Sequence, residues 1–99
     1  VRRGEIWRYV SKGFGRERLV VVVSTDAING SPGQGWFLAL EVTPEDPGHL
    51  LAVELPGTGW VTPQQLDALY QRSCVEQAGL VEHDVMERVA SMLRIALDL

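Results

Sequence analysis

Arg18-Leu19-Val20-Val21-Val22-Val23-Ser24 is the stretch that decides the fold. Five consecutive apolar residues, four of them β-branched, make a run of strand length whose composition is that of a strand buried on both faces. Working back, Glu5-Ile6-Trp7-Arg8-Tyr9-Val10 alternates: Ile6, Arg8 and Val10 fall on one face, Glu5, Trp7 and Tyr9 on the other. Aromatic and β-branched residues with a period of two predict a second strand. A glycine-bearing turn over residues 11–15 separates the two.

Working forward, Asn29-Gly30-Ser31-Pro32-Gly33-Gln34-Gly35 is too rich in breakers to be anything but a loop. Strands are predicted over residues 36–42 and 51–55, with a proline- and glycine-bearing loop between them and Pro56-Gly57 after the second. Residues 62–80 support two readings. Thr62-Pro63 resembles a helix start, a threonine cap followed by proline, with Leu66, Leu69 and Tyr70 at helical spacing. Val75 and Gly79-Leu80 fit a returning strand equally well. Val85, Met86, Val89, Met92, Leu93 and Ala96 then form one apolar stripe, with acidic residues near the first turn, and predict a C-terminal amphipathic helix. The expected class is α+β, mostly β: a small SH3-like curved antiparallel sheet or barrel carrying a C-terminal helix, one domain over residues 1–99. Open edges in so small a sheet favour a homodimer.

Charge is distributed unevenly. Arg2, Arg3, Arg8, Lys12, Arg16 and Arg18 stand against Glu5 and Glu17 in the first 18 residues, a net +4; the remaining 81 carry three basic and eleven acidic residues, a net −8. A cationic segment on an acidic body implies a localised anionic partner rather than general nucleic-acid coating. No apolar run approaches the roughly 20 residues of a membrane helix, and no secretory signal pattern is present. Cys74 is the one cysteine, so no internal disulfide can form, and a cytoplasmic setting is expected. His49, His83 and Cys74 do not make a metal-ligand cluster, and neither a phosphate-loop signature nor a Ser-His-Asp ordering occurs. Glu45-Asp46 reads as a solvated turn, and Trp7, Trp36 and Trp60 as core or interface residues.

The opening Arg2-Arg3-Gly4-Glu5-Ile6-Trp7, followed by Arg18 to Asp26, resembles that of MazF/PemK-type toxins of the CcdB/Kid/MazF superfamily. The likeness continues through Leu38-Ala39-Leu40-Glu41-Val42-Thr43, touches Trp60-Val61 and Gln65-Leu66, and closes with the helix beginning Val85-Met86-Glu87-Arg88-Val89. Arg18-Leu19 stands where the family has Arg-Pro, Thr43-Pro44 where it has Thr-Ser, and the first hairpin is short. The short hairpin and Arg18-Leu19, with the serine and aspartate near positions 24–26 and Pro32-Gly33, also resemble the CcdB gyrase poisons, although the chain ends Ala96-Leu97-Asp98-Leu99 without their Trp-Gly-Ile tail.

The resemblance implies the toxin of a type II toxin–antitoxin pair, an endoribonuclease that cuts single-stranded RNA without metal or cofactor. The 2′-hydroxyl attacks the adjacent phosphorus, leaving a 2′,3′-cyclic phosphate and a 5′-hydroxyl. It also implies a homodimer whose partner is an acidic, disordered antitoxin segment, and it makes residues 65–69 a strand. By the same resemblance Arg18 holds phosphate and moves the proton, while Thr43 stabilises the transition state. Guanidinium matches phosphate oxygens with a planar fork of donors, although its pKa above about 12 makes it an awkward base. Arg8, Lys12 and Arg16 would extend a phosphate track, and Phe14, between two glycines, could stack a base. Other readings remain: Arg18 as a strand-end residue with Thr43 bonded to its own loop, a non-enzymatic gyrase binder, or an inactive relative that binds only antitoxin.

Overall fold

The computed structural model describes every residue except Lys12 and Phe14. Among the described residues, seven strands and two α-helices follow one another: β1 (Glu5–Val10), β2 (Glu17–Val22), α1 (Asp26–Asn29), β3 (Trp36–Glu41), β4 (Val53–Leu55), β5 (Gly59–Val61), β6 (Leu66–Tyr70), β7 (Cys74–Leu80) and α2 (His83–Leu97). Five strands form one antiparallel sheet in the order β6-β3-β2-β1-β7, and β4 pairs with β5 in a separate ribbon. The valine run therefore lies at the centre of the sheet, as its composition requires. Val20, Val21 and Val22 are wholly buried, and alternation sends them to two different cores.

On one face Ile6, Val21, Leu40 and Val42 pack against Val85, Met86, Val89 and Met92 of α2 and against Leu55 and Val61 of the ribbon. On the other, Tyr9, Val20, Val22, Phe37, Ala39 and Leu69 close over one another as the sheet curves. Irregular register between β1 and β7, at Ile6/Trp7 and at Arg8/Tyr9, supplies part of that curvature. The result is an open, curved sheet with a C-terminal helix, in agreement with the expected class. Its free edges are β6 and β7.

The ambiguous segment resolves into parts of both readings. Thr62-Pro63 does start a helical turn, but only the single 3₁₀ turn Pro63–Gln65. The chain then extends as β6, in register with β3 from Leu40↔Leu66 to Trp36↔Tyr70. Helical spacing of three apolar residues was outweighed by an open strand edge offering hydrogen bonds along five residues. A second 3₁₀ turn, Gln71–Ser73, reverses it into β7. The strand expected over 51–55 begins only at Val53; just before it, the Ala52 N–H is committed to the His49 carbonyl at 3.0 Å. Strand β5 and the one-turn helix α1 carried no strong sequence signal.

Gly59 shows why β5 can sit where it does. Its φ is +154°, and a Cβ there would run into the Thr43 carbonyl oxygen and, at 2.8 Å, Val42 Cγ1. The backbones of β5 and Thr43 approach each other because residue 59 has no side chain. Gly59→Ala is expected to lower stability by about 1–3 kcal/mol, as overpacking does, measured as a lower denaturation midpoint with an unchanged urea m-value.

Candidate active site

Arg18 lies near the start of β2, directly opposite Tyr9 of β1, and its guanidinium stacks 5.2 Å from the centre of the Tyr9 ring. Glu41, the last residue of β3, is paired with Val20 and so lies on the same face, diagonal to Arg18. Arg18 Nη1 donates to Glu41 Oε1 at 3.1 Å, and Arg16 Nη2 donates to Glu41 Oε2 at 3.3 Å. Two residues on, Thr43 is held to Trp60 by reciprocal backbone bonds of 2.8 Å each. Its hydroxyl lies 3.2 Å from the Trp60 carbonyl and 3.3 Å from that of Glu45. Arg16, Arg18, Glu41, Thr43, Pro44 and Thr58 line one cleft of about 490 Å³.

Three chain segments thus bring to one place what the sequence separates by more than twenty positions. The Arg18–Glu41 pair is well shielded, its side chains 22% and 15% exposed. In such surroundings a charge-assisted hydrogen bond is stronger than at an open surface, where ion pairs contribute roughly 0–1 kcal/mol. The Thr43 hydroxyl has one proton and two carbonyls to receive it, so donating to a ligand means turning away from backbone partners. That turn is cheap, since a neutral hydrogen bond is worth about 0.5–1.5 kcal/mol net.

The cationic opening is not one patch. Antiparallel pairing puts Arg2 and Arg3 at the far end of β1, about 20 Å from Tyr9 at roughly 3.3 Å per residue. There the Arg3 backbone N–H donates to Asp26 at 2.8 Å. That bond, then one from Asn29, lowers the Asp26 pKa below the ordinary carboxylate value. Arg8 points to the opposite face from Arg18, since it pairs with Leu19 rather than with Arg18. It is engaged by Glu17 at 3.0 Å and by Glu76 at 3.8 Å. Of the six residues proposed from sequence, Arg18, Arg16 and Thr43 come together and Arg8 does not. Lys12 and Phe14 lie outside the described residues.

Glu41 is the residue that sequence reasoning passed over. Its signal was available: a lone carboxylate at the end of an apolar strand, where an unpaired charge is costly. Elsewhere, His83 is an exposed helical residue 3.8 Å from Glu87, and His49 Nδ1 accepts the Leu51 N–H at 3.0 Å. Among the described residues no group of His, Cys, Asp or Glu is placed to hold a metal, and no helix is long and apolar enough to cross a membrane. Trp7 packs against the second core and donates its indole N–H to Glu5 at 3.1 Å.

The family model of PemK-like, MazF-like toxins of type II toxin–antitoxin systems matches residues 2–97. The fold is that of solved toxin structures. An endoribonuclease in complex with its cognate antitoxin, from a mycobacterial species, superposes with a TM-score of 0.85 at 23% identity, covering 100% of this chain and 96% of that one. A MazE–MazF complex from Deinococcus radiodurans gives 0.83 at 28% identity, covering 100% and 96%. Mycobacterium tuberculosis MazF-mt6 gives 0.76 at 15% identity, covering 96% and 97%. No curated protein sequence matches. These findings assign the molecule to the toxins of type II toxin–antitoxin systems. The chain belongs to the PemK-like, MazF-like toxin family.

Cys74, half-buried on β7, has its thiol pushed up to about 11 by desolvation. At pH 8 it should alkylate with iodoacetamide at least about tenfold more slowly than free cysteine, whose pKa is about 8.5. A rate equal to that of free cysteine, followed by mass spectrometry on the folded protein, would contradict this.

Proposed function

We propose that Arg18 and Thr43 are the groups with which this MazF-like endoribonuclease cuts single-stranded RNA. The observation that carries the reading is their convergence with Arg16 in one cleft, from strands far apart in the chain. Transesterification by the ribose 2′-hydroxyl builds negative charge on a pentacovalent phosphorus, and catalysis requires donors already aimed at that charge. Arg18 offers a shielded, stacked guanidinium that spends one nitrogen on Glu41 and, among the described residues, keeps its Nε and Nη2 donors for phosphate oxygens. Thr43 adds a neutral donor from the neighbouring strand end, held in place by Trp60. Arg16, 68% exposed, is long and mobile enough to take a flanking phosphate. Lys12 and Phe14, which precede Arg16 in the sequence, are proposed on the family likeness alone to extend the contacts with RNA; Arg8, on the opposite face of the sheet, is not part of this cleft.

The remaining parts of the reading follow from the family. The whole chain acts as one domain, in the cytoplasm, as a homodimer. Open sheet edges, with Tyr70 on β6 and Val75 and Leu80 on β7 exposed, support the dimer. The relatives solved with a cognate antitoxin or as MazE–MazF complexes support an antitoxin partner. An acidic, disordered segment suits a site whose ligand is otherwise RNA.

Purified protein incubated with mixed-sequence RNA in EDTA is expected to yield fragments with 5′-hydroxyl ends, detected by direct labelling with polynucleotide kinase. Arg18→Ala should lower kcat by about 10²–10³, the cost of removing one aimed donor from such a site, and Thr43→Val by less. Intact RNA over every sequence tested would overturn the reading. Inhibition of gyrase supercoiling by the same preparation would replace it.

A further inference from the structure

The cleft contains a group that the family likeness leaves without work. We propose that Glu41 is the general base that takes the 2′-hydroxyl proton, leaving Arg18 to bind phosphate alone. The inference rests on the ribonuclease reading of the cleft and deepens it.

Arginine stays protonated under all ordinary conditions and has no lone pair to offer, so Arg18 cannot accept the proton. A protein acceptor is then sought among the other described groups at the cleft. Threonine hydroxyls are too weakly basic, and neither histidine lines the cleft. Glu17 does line it, but its side chain is 53% exposed and engaged by Arg8, which projects to the other face. Glu41 alone among the described carboxylates combines shielding, the face shared with Arg18, and a position two residues from Thr43. Because one guanidinium nitrogen holds the carboxylate, a phosphate taken by its other donors is placed beside that carboxylate. The 2′-oxygen adjoining that phosphate is then the nearest proton source. Geometry of this kind is what proton transfer demands before basicity matters.

The step balances without further reagents. The 2′-O–H bond breaks and its proton passes to a Glu41 oxygen, while the 2′-oxygen lone pair forms the new bond to phosphorus. The phosphorus–5′-oxygen bond breaks, the 5′-oxygen leaves with that electron pair, and it takes up a proton from solvent. Glu41 later returns its proton to solvent.

The test uses the full chain, a cleavable RNA chosen from the wild-type digest, and the same RNA with a 2′-O-methyl group at the scissile ribose as a binding probe. Glu41→Gln keeps the shape and a hydrogen bond to Arg18 but cannot accept the proton. It should lower kcat at least about 100-fold, within the usual range for general-base loss. Its Kd for the 2′-O-methyl RNA should stay within about threefold of wild type, by the same separation of binding from proton transfer. The wild-type kcat should fall on the acid side of its pH profile, and that limb should vanish in Glu41→Gln. Glu41→Asp should recover part of the rate. Arg18→Ala, by contrast, should lose binding and cleavage together. Wild-type cleavage without an acid limb overturns the proposal, a readout that needs no variant. So does Glu41→Gln cutting at the wild-type or a faster rate, or losing binding and rate together with the acid limb intact. In each of those outcomes wild-type protein still cuts RNA, so the ribonuclease reading survives. Wild-type protein that cuts no RNA ends both.

Discussion

Everything in this molecule depends on β2 being covered from both sides. Val20, Val21 and Val22 are wholly buried, and no single layer of side chains can enclose all three of them, because neighbours on a strand point in opposite directions. One core must form beneath α2 and the ribbon, the other within the curve of the sheet. Each fully buried valine contributes roughly 1.5–3 kcal/mol of transfer free energy. Against a typical net stability of about 5–15 kcal/mol for a domain, three such residues on one strand set the terms for the rest. The strands on either side, β1 and β3, are placed by the need to hydrogen-bond that central backbone.

The cleft is a by-product of where this covering stops. β2 begins at Glu17, before its valines, and β3 leaves the sheet after Glu41. Past those points the two strands no longer need to seal a core, and charged side chains occupy the ends. Arg18 still has a neighbour to lie on in Tyr9, itself buried, so its guanidinium is held by stacking as well as by charge. Thr43 has left the sheet but is captured by Trp60 of the ribbon, an approach that Gly59 permits. The ribbon thus serves the hydrophobic core with Leu55 and Val61 and the cleft with Trp60. Packing and chemistry share the same few residues.

Counting charges along the chain overstated how cationic any one place is. A strand distributes six consecutive side chains over two faces, and a hairpin folds the two ends of its first strand far apart. Among the described residues, Arg3 is therefore near Asp26 at one end, Arg8 is beside Glu17 and Glu76 on one face, and Arg16 and Arg18 are beside Glu41 on the other. The described part of the cleft is closer to neutral than to basic. What the cleft offers an anion is shielded, oriented donors rather than a net positive charge.

The strands β1, β2 and β3 and the helix α2 were legible in the sequence because periodicity and β-branching act locally. Of the stripe, Val85, Met86, Val89 and Met92 are buried as its spacing requires and Leu93 partly so, while Ala96 is exposed near the end of α2; Ile6 and Tyr9 fall on opposite faces as their spacing requires. That Arg18 and Thr43 would lie together was also expected, though through family likeness rather than through pattern. What only the tertiary structure decided has one common feature, dependence on a partner distant in sequence. Leu66, Leu69 and Tyr70 are equally compatible with helix and strand until β3 presents an edge. Arg8 and Arg18 look alike in the chain and are separated by the thickness of a sheet. Glu41 is one carboxylate at a strand end until the fold sets both guanidiniums against it. Local sequence specifies which backbone each segment prefers; which side chains meet is set by pairing and burial across the whole chain.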